Sequence, residues 1–340
     1  MPRKMLGFLL SASLLVSVTA SAQPIPAAAQ KAFDAARALA AQEKGWRHPG
    51  LVNCYPHDGL PSQAVNRDPL PTKVFDNLYY LGNGQFGPWV IDTSEGLILI
   101  DSMNNSFDVD KYIIPGLITL GLNPDRLKVL IISHGHGDHY GGGRYLQDKF
   151  HMKVYETEDD YAWTDMTVGN QRVSRGTGSP PTRDQVVKDG DTISLGDEHI
   201  KVFISPGHTP GSLSMLIPVK DHGVPKLLGY FGGITSGGLS PALHKAFDHS
   251  YTRLVKLMTD AKIDGYIAPH PNYDDAVYKI GYMALNPKDP NPFLVGLDQT
   301  VLFLKIVQQC NLYNGALEAA GIHQGFEPRQ PPDSLIHEPQ

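Results

Sequence analysis

The segment "SHGHGDH", Ser133 to His139, places three histidines and one aspartate within six residues. In an extended chain successive side chains alternate faces, so His134, His136 and Asp138 share one side. Two imidazoles on one side supply half of a tetrahedral zinc site, at zinc–nitrogen distances of ~2.0–2.1 Å. His139 falls out of that phase. A turn after Gly137 can aim Asp138 and His139 at a second, adjacent ion, and the surrounding glycines let the backbone bend at no steric cost. Four residues cannot complete two sites. Two more histidines stand in matching places: His208 in "SPGHTPGS" follows the run "IKVFIS", and His270 in "IAPHPN" follows "DGYI". Both lie beyond the carboxyl end of an expected strand, where open α/β sheets hold their ligands. The spacing therefore predicts one zinc on His134, His136 and His208, and a second on Asp138, His139 and His270. His151, His222 and His323 have no comparable setting and read as surface or capping residues.

The elements that must position these residues are legible around them. "LKVLIIS" is a continuous aliphatic run, as expected of a strand buried on both faces, and it delivers the histidine cluster at its carboxyl end. Before it, "KVFDNLYYLG", "PWVIDT" and "GLILIDS" read as strands, with turns at Asn83-Gly84 and Glu95-Gly96. "VDKYIIPGLITLG" is a helical candidate interrupted by Pro115 and Gly116. After the cluster, "GGGRYLQDKF" reads as a short helix and "KVYET" as a strand. "DGDTISLGDEHIKVFISPG" predicts a hairpin turning at Gly196-Asp197, and "SLSMLIPV" with "KLLGYFGG" a second pair. "YTRLVKLMTDA" and the stretch from Phe293 to Ala320 read as helices, with the strand "DGYIAPH" between them. The alanine-rich "PAAAQKAFDAARALAAQEKGW" predicts a helix stopped at Gly45, followed by an irregular arm.

Hydrophobic residues make up 41% and charged residues 19% of the chain, which excludes a disordered polyelectrolyte. A net charge of −6 with no basic run argues against nucleic acid and leaves a small-molecule substrate as the expected partner. Arg3 and Lys4, an apolar stretch and Ala20-Ser21-Ala22 form a secretory signal pattern cleaved after Ala22. Periplasmic or secreted localisation follows, with no membrane attachment after cleavage. The expected layout is a signal peptide at 1–22, a helix and irregular arm at 23–72, one α/β domain at 73–323 and a Pro-rich tail at 324–340. Two cysteines, Cys54 and Cys310, leave a long-range disulfide and two separate thiols both open. The absence of a Cys-x-x-Cys pair excludes thiolate zinc and iron–sulfur sites.

"SHGHGDH", "PGHTPGS" and "APHP", in this order, resemble the metallo-β-lactamase superfamily from about Lys73 to Ala320. The resemblance implies an αββα sandwich with two metals at one edge of the sheets, held by the six residues already named. It also implies that Asp101, at the end of "LILIDS", supports the metal loop from behind. Glyoxalase II and the acyl-homoserine lactonases, similar in the first motif, carry a further aspartate that bridges the metals. The equivalent segment here, "LLGYFGGITSGG", has Gly232 and Gly233 where that aspartate is expected. An all-histidine first site without a bridging acid is similar to the third, histidine-only subclass of the true β-lactamases, as is "HPNYDD" followed by "NPF". Three departures stand out. That subclass usually has a serine at the glycine pair, so a water or substrate contact is expected to be missing. Ile263 replaces the first cysteine of its usual disulfide. Gly135 and Gly137 replace larger residues and are expected to loosen the metal loop.

The implied reaction is hydrolysis of a strained cyclic amide. Two adjacent zinc ions lower the pKa of a shared water toward ~7, and the metal-bound hydroxide opens the ring. Asp138 orients the attacking group and takes its proton, while Thr235 and Ser236 are candidates to contact the substrate carboxylate. An exported lactonase or esterase of the same fold is the alternative.

Overall fold

The computed structural model describes residues 24–44, 49–54, 68–169, 176–322 and 335–336. The expected signal peptide, Gly45, His323, most of the irregular arm and most of the Pro-rich tail lie outside the described residues.

Helix α1 (Ala27–Ala40) is followed by a single 3₁₀ turn at Pro49–Asn53. Strands β1 (Thr72–Lys73), β2 (Leu78–Tyr80), β3 (Trp89–Thr93) and β4 (Gly96–Ile100) come next. The helical run α2 (Ser106–Asp108) and α3 (Ile114–Thr119) leads to β5 (Leu127–Ile131). Helices α4 (Gly137–Tyr140) and α5 (Gly143–Phe150), strand β6 (Lys153–Thr157), helix α6 (Glu158–Gly169) and strand β7 (Gln185–Val187) complete the first half. The second half holds β8 (Thr192–Leu195), β9 (Glu198–Ile204), β10 (Leu213–Asp221), β11 (Val224–Phe231), α7 (Pro241–Ala261), β12 (Gly265–Ile267), α8 (Ala276–Leu285) and α9 (Leu297–Ala319).

The strands form two sheets, ordered β1-β2-β3-β4-β5-β6-β7 and β12-β11-β10-β9-β8. The first is antiparallel up to β4 and parallel from β4 to β7. Alternation decides which side chain enters which layer. Ile98, Ile100, Val129 and Ile131 face the second sheet and meet Val202, Met215, Ile217 and Tyr230. Their neighbours Leu97, Leu99, Leu130 and Ile132 face outward beneath Ile113, Leu117, Tyr140 and Leu146 of the helical layer. On the far side Phe231 and Tyr266 lie under Leu243, Phe247, Tyr251, Phe303 and Val307 of α7 and α9. The expected αββα sandwich is therefore present, and the run "GLILI" is buried at every position because both of its faces are covered.

Helix α1 packs Ala29, Phe33 and Ala36 against Ile306, Tyr313 and Leu317 of α9. It ends at Ala40, ahead of the expected stop at Gly45. Cys54 and Cys310 form a disulfide across a Cα–Cα distance of 4.4 Å, so the bridge is the reading of the two that holds. Ile263 is buried among Phe231, Met258 and Tyr266, filling with hydrocarbon the place of the cysteine that the resemblance implied. Pro115 does not break the helical run: a π-turn at Val109–Ile113 lies directly before it, a local widening that accommodates the proline's missing N–H, and α3 continues through it. Sequence patterning overlooked α6, α8 and β7. Of the tail, Ile336 packs against the α7–α9 cluster. Among the described residues no helix is long and apolar enough to cross a membrane.

Candidate metal centre

Four strand ends converge on one edge of the sandwich. Asp101 leaves β4, the segment from Ser133 to Gly137 leaves β5, His208 follows β9, and His270 follows β12. The histidine cluster does turn at Gly137: α4 starts there and carries Asp138 and His139 away from the strand direction. The side chains fall into the two expected groups, His134 with His136 and His208, and Asp138 with His139 and His270. Within each, all potential ligand atoms lie within 4.8 Å of one another. The groups adjoin, since the rings of His134 and His139 are 3.8 Å apart between centroids.

Hydrogen bonds fix which nitrogen of each ring faces inward. His208 Nδ1 lies 2.7 Å from the Thr235 carbonyl, and His270 Nδ1 lies 2.7 Å from the Gln85 carbonyl. A carbonyl only accepts, so each Nδ1 carries the proton and each Nε2 presents a lone pair. His139 donates from Nδ1 to Asp101 Oδ2 at 2.8 Å, with the same result. Its Nε2 then faces His270 Nε2 at 3.2 Å and Asp138 Oδ2 at 3.3 Å, and His270 Nε2 is 3.6 Å from the same oxygen. Three acceptors cannot hold one another, so a cation belongs among them. Ligands ~2.0–2.2 Å from a tetrahedral zinc stand ~3.3–3.6 Å apart, which is the observed spacing. In the first group His134 Nε2 is buried with no hydrogen-bond partner.

The electrostatics agree. Burial, reinforced by His139 and the other imidazoles, holds His134 well below its ordinary range. Burial likewise pushes His208 down to about 4, although its bond to Thr235 opposes this. Both rings therefore stay neutral at pH 7, as a ligand must. His139 behaves oppositely: burial disfavours its charge, but Asp138 and Asp101 outweigh burial and push it up to about 10. A proton on Nε2 and a metal ion therefore compete for the same place among these acceptors.

Asp101 explains the rigidity of the second group. It is buried at a φ of 63°, a left-handed conformation that costs an aspartate little compared with a bulkier residue. Its carboxylate accepts from Ser133 N and Ser133 Oγ at 2.8 Å, His139 Nδ1 at 2.8 Å and Tyr230 Oη at 2.9 Å. Tyr230 comes from the second sheet, so Asp101 joins both sheets behind the metal loop.

Residues 88–222 match the family model described as "Metallo-beta-lactamase superfamily". Over these residues the chain carries a metallo-β-lactamase superfamily domain, and its histidine-rich groups are those of a metal-dependent hydrolase. Among solved structures it is similar to the native FEZ-1 metallo-beta-lactamase of Legionella gormanii, with 25% identity and a TM-score of 0.64 over 76% of this chain and 99% of that one. It is also similar to BJP-1 of Bradyrhizobium japonicum, a subclass B3 metallo-beta-lactamase, with 25% identity and a TM-score of 0.60 over 69% of this chain and 90% of that one. Among curated relatives, a probable metallo-hydrolase YqgX of Bacillus subtilis is 23% identical over 64% of this chain and 95% of its own length. A hydroxyacylglutathione hydrolase of Maricaulis maris is 30% identical over 38% of this chain, a match that spans 44% of that protein.

Measured against the superfamily pattern, the glycine departures have physical reasons. A Cβ on Gly135 would meet Thr164 Oγ1 and Trp163 Cδ1 at 3.0 Å, and one on Gly137 would meet Thr177 Cγ2 at 2.5 Å. Helix α6 and Thr177 thus occupy the space of the larger residues, and the expected loosening of the loop gives way to packing. At Gly233 a Cβ would stand 2.5 Å from His208 Cβ, and at Gly232 one would stand 2.7 Å from Ser133 O. Neither position admits a serine or an aspartate without moving a ligand-bearing loop.

The two substrate-contact candidates are placed otherwise than expected. Ser236 is 1% exposed, and its hydroxyl accepts from Asn314 Nδ2 at 2.9 Å, which buries it beneath the site. Thr235 is half-buried and turns its carbonyl and hydroxyl toward His208 Nδ1. Ser236 is thus turned into the interior, while Thr235 bonds to a histidine of the first metal group.

Sequence reasoning also missed functional neighbours. The Asn83-Gly84 turn was expected, but its purpose was not. Asn83 Oδ1 caps Gln85 N and Phe86 N at 2.8 Å, and this aims the Gln85 carbonyl at His270. Asp160, on the overlooked α6, accepts from Gly135 N at 2.8 Å and from Gly211 N at 2.7 Å.

Proposed function

We propose that the protein is an exported di-zinc hydrolase that opens the amide of a β-lactam ring. The observation that supports this best is the Gly232–Gly233 pair. It offers no bridging carboxylate to the two ligand groups and has no room for one. Similarity to two metallo-beta-lactamases over nearly their whole lengths points the same way. His134, His136 and His208 would hold one zinc, and Asp138, His139 and His270 the other. Zinc bound there supplies Lewis acidity for a carbonyl oxygen and acidifies water.

The chain's own residues do the remaining work. His139 and His270 overcome the burial penalty on Asp138 and keep its carboxylate ionised far below the usual range. Partly exposed, it can orient an attacking water by accepting a hydrogen bond from it. Asp101, Thr235 and Gln85 lock the ring orientations so that no reorganisation is needed during the reaction. We read residues 73–323 as one catalytic unit and 23–72 as an arm, of which α1 and Cys54 are held against α9.

Hydroxyacylglutathione hydrolases among the curated relatives favour a second reading, an exported lactonase or esterase of the same fold. Purified mature protein given two zinc equivalents should hydrolyse a penicillin or a carbapenem, and a chelator should abolish this. Brisk lactone cleavage with no turnover of any β-lactam would replace the first reading by the second. N-terminal sequencing of extracytoplasmic protein should begin at Gln23. A chain retained in the cytoplasm with Met1 intact would remove the export proposal.

A further inference from the structure

We propose that Asp160 is a positioning residue that fixes the spacing of the first metal group by tying together the two loops that carry it. The inference rests on the zinc reading above. His134 and His136 come from the loop after β5, in the first sheet, and His208 comes from the loop after β9, in the second. The backbone bond from Leu213 N to Ser133 O at 2.8 Å joins the bases of the two loops, and the bonds of Asp160 join them beside the ligand histidines. Asp160 belongs to neither: it lies in the first turn of α6, a helix that no metal-ligand motif contains.

Its carboxylate is fully buried and reaches both loops. Oδ2 accepts from Gly135 N, the residue between the two ligand histidines, at 2.8 Å. The same oxygen accepts from Thr209 Oγ1, next to His208, at 2.7 Å. Oδ1 accepts from Gly211 N at 2.7 Å. Three donors from two sheets therefore converge on one side chain, and the ring centroids of His134 and His136 each stand 4.6 Å from that of His208. A buried carboxylate facing only neutral donors is a costly way to join two loops. What it uniquely offers is lone pairs on both oxygens. An amide of the same shape must turn an N–H toward one of these N–H groups, and that link breaks.

Two substitutions isolate the effect. Asp160→Asn keeps the volume and removes acceptor capacity on one side. Thr209→Val removes one donor and leaves the two backbone bonds in place. Zinc-loaded holoprotein is mixed with the chromogenic chelator 4-(2-pyridylazo)resorcinol and release is followed in time. His208→Ala assigns the phase that belongs to the first group, because it should abolish that phase alone. In Asp160→Asn this phase should accelerate at least ~10-fold, the usual effect of losing a partner behind a metal ligand. Thr209→Val should fall between Asp160→Asn and the wild type, and the other phase should stay put in both. A role confined to general stability would instead speed both phases together, and that result overturns the inference. Wild-type release of the first phase in folded Asp160→Asn also overturns it. Should Asp160→Asn fail to fold, Thr209→Val decides in the same way. If His208→Ala leaves both phases intact, the zinc assignment itself has failed, which is a different outcome from the failure of Asp160.

Discussion

Restoring the serine that related β-lactamases carry at the glycine pair is the sharpest test of why this chain lacks it. If Gly233 merely omits a useful hydroxyl, Gly233→Ser should improve zinc retention or turnover. The geometry argues the reverse. The new Cβ would lie 2.5 Å from His208 Cβ, 2.7 Å from Ser212 Oγ and 3.0 Å from His208 Cγ. Non-bonded carbons settle at ~3.5–4.0 Å, so more than ~1 Å of separation must be found. Gly233 cannot easily retreat, because its carbonyl accepts from the buried Tyr251 hydroxyl at 3.0 Å. The movable partner is His208, held from behind by Thr235, and displacing it carries Nε2 away from His134 and His136. Overpacking of this kind costs ~1–3 kcal/mol. Expressed wholly in the bound geometry, that is a ~5–150-fold weaker first zinc. Chelator competition at equilibrium measures it directly, and elemental analysis at low free zinc should fall toward one ion per chain. Gly233→Ala is the control, since the clash lies in the Cβ and not in the hydroxyl. Zinc retention at the wild-type level in both variants, with faster β-lactam turnover in the serine variant, would refute the steric reasoning.

Two further outcomes follow from features outside the metal groups. The Cys54–Cys310 bridge spans a sequence separation of 256 residues, so chain entropy alone sets a ceiling of ~5 kcal/mol on its contribution. Paired serine substitution, or reduction, should lower the Tm by several degrees and free α1 first, seen as faster amide exchange on its α9-facing side. An unchanged Tm would show that α1 holds without the bridge. Burial pushes Asp274 up to about 7, against the pull of Lys279 and of the Ala268 and Ala276 N–H groups. The native state then keeps a proton that the unfolded chain releases near pH 4, so stability is greatest below that point and falls as pH rises through about 7. Urea midpoints between pH 5 and 8 should show that fall in the wild type and a flatter profile in Asp274→Asn, and parallel profiles would exclude Asp274 as its source.

The residues of the two candidate metal groups were legible because metal chemistry is local in sequence and strict in residue type. "HGHGDH" follows an unmistakable strand, and His208 and His270 each follow another, so the rule that ligands gather beyond strand ends points to all six, while the turn into α4 and the packing of the two sheets bring them together. The supports were less legible because each acts across the fold. Ser236 looked like a cleft residue from its place after the glycines, yet its partner, Asn314, lies on α9, far along the chain. Tyr230 reaches Asp101 from the opposite sheet, a pairing fixed by inter-sheet packing and by no motif. Helix α6 was missed because its apolar residues, Tyr161, Ala162, Trp163 and Met166, do not fall in one stripe; the helix is wedged between the metal loop and its surroundings. A weaker signal was available. Thr157 accepts from Asp160 N at 3.3 Å, and Thr157-Glu158-Asp159-Asp160 has the spacing of a helix N-cap with acids in its first turn. Reading that cap would have placed Asp160 at the start of a helix directly after β6, beside the strand that delivers the histidines. The residue that joins the two ligand loops could then have been sought among acids lacking any metal motif.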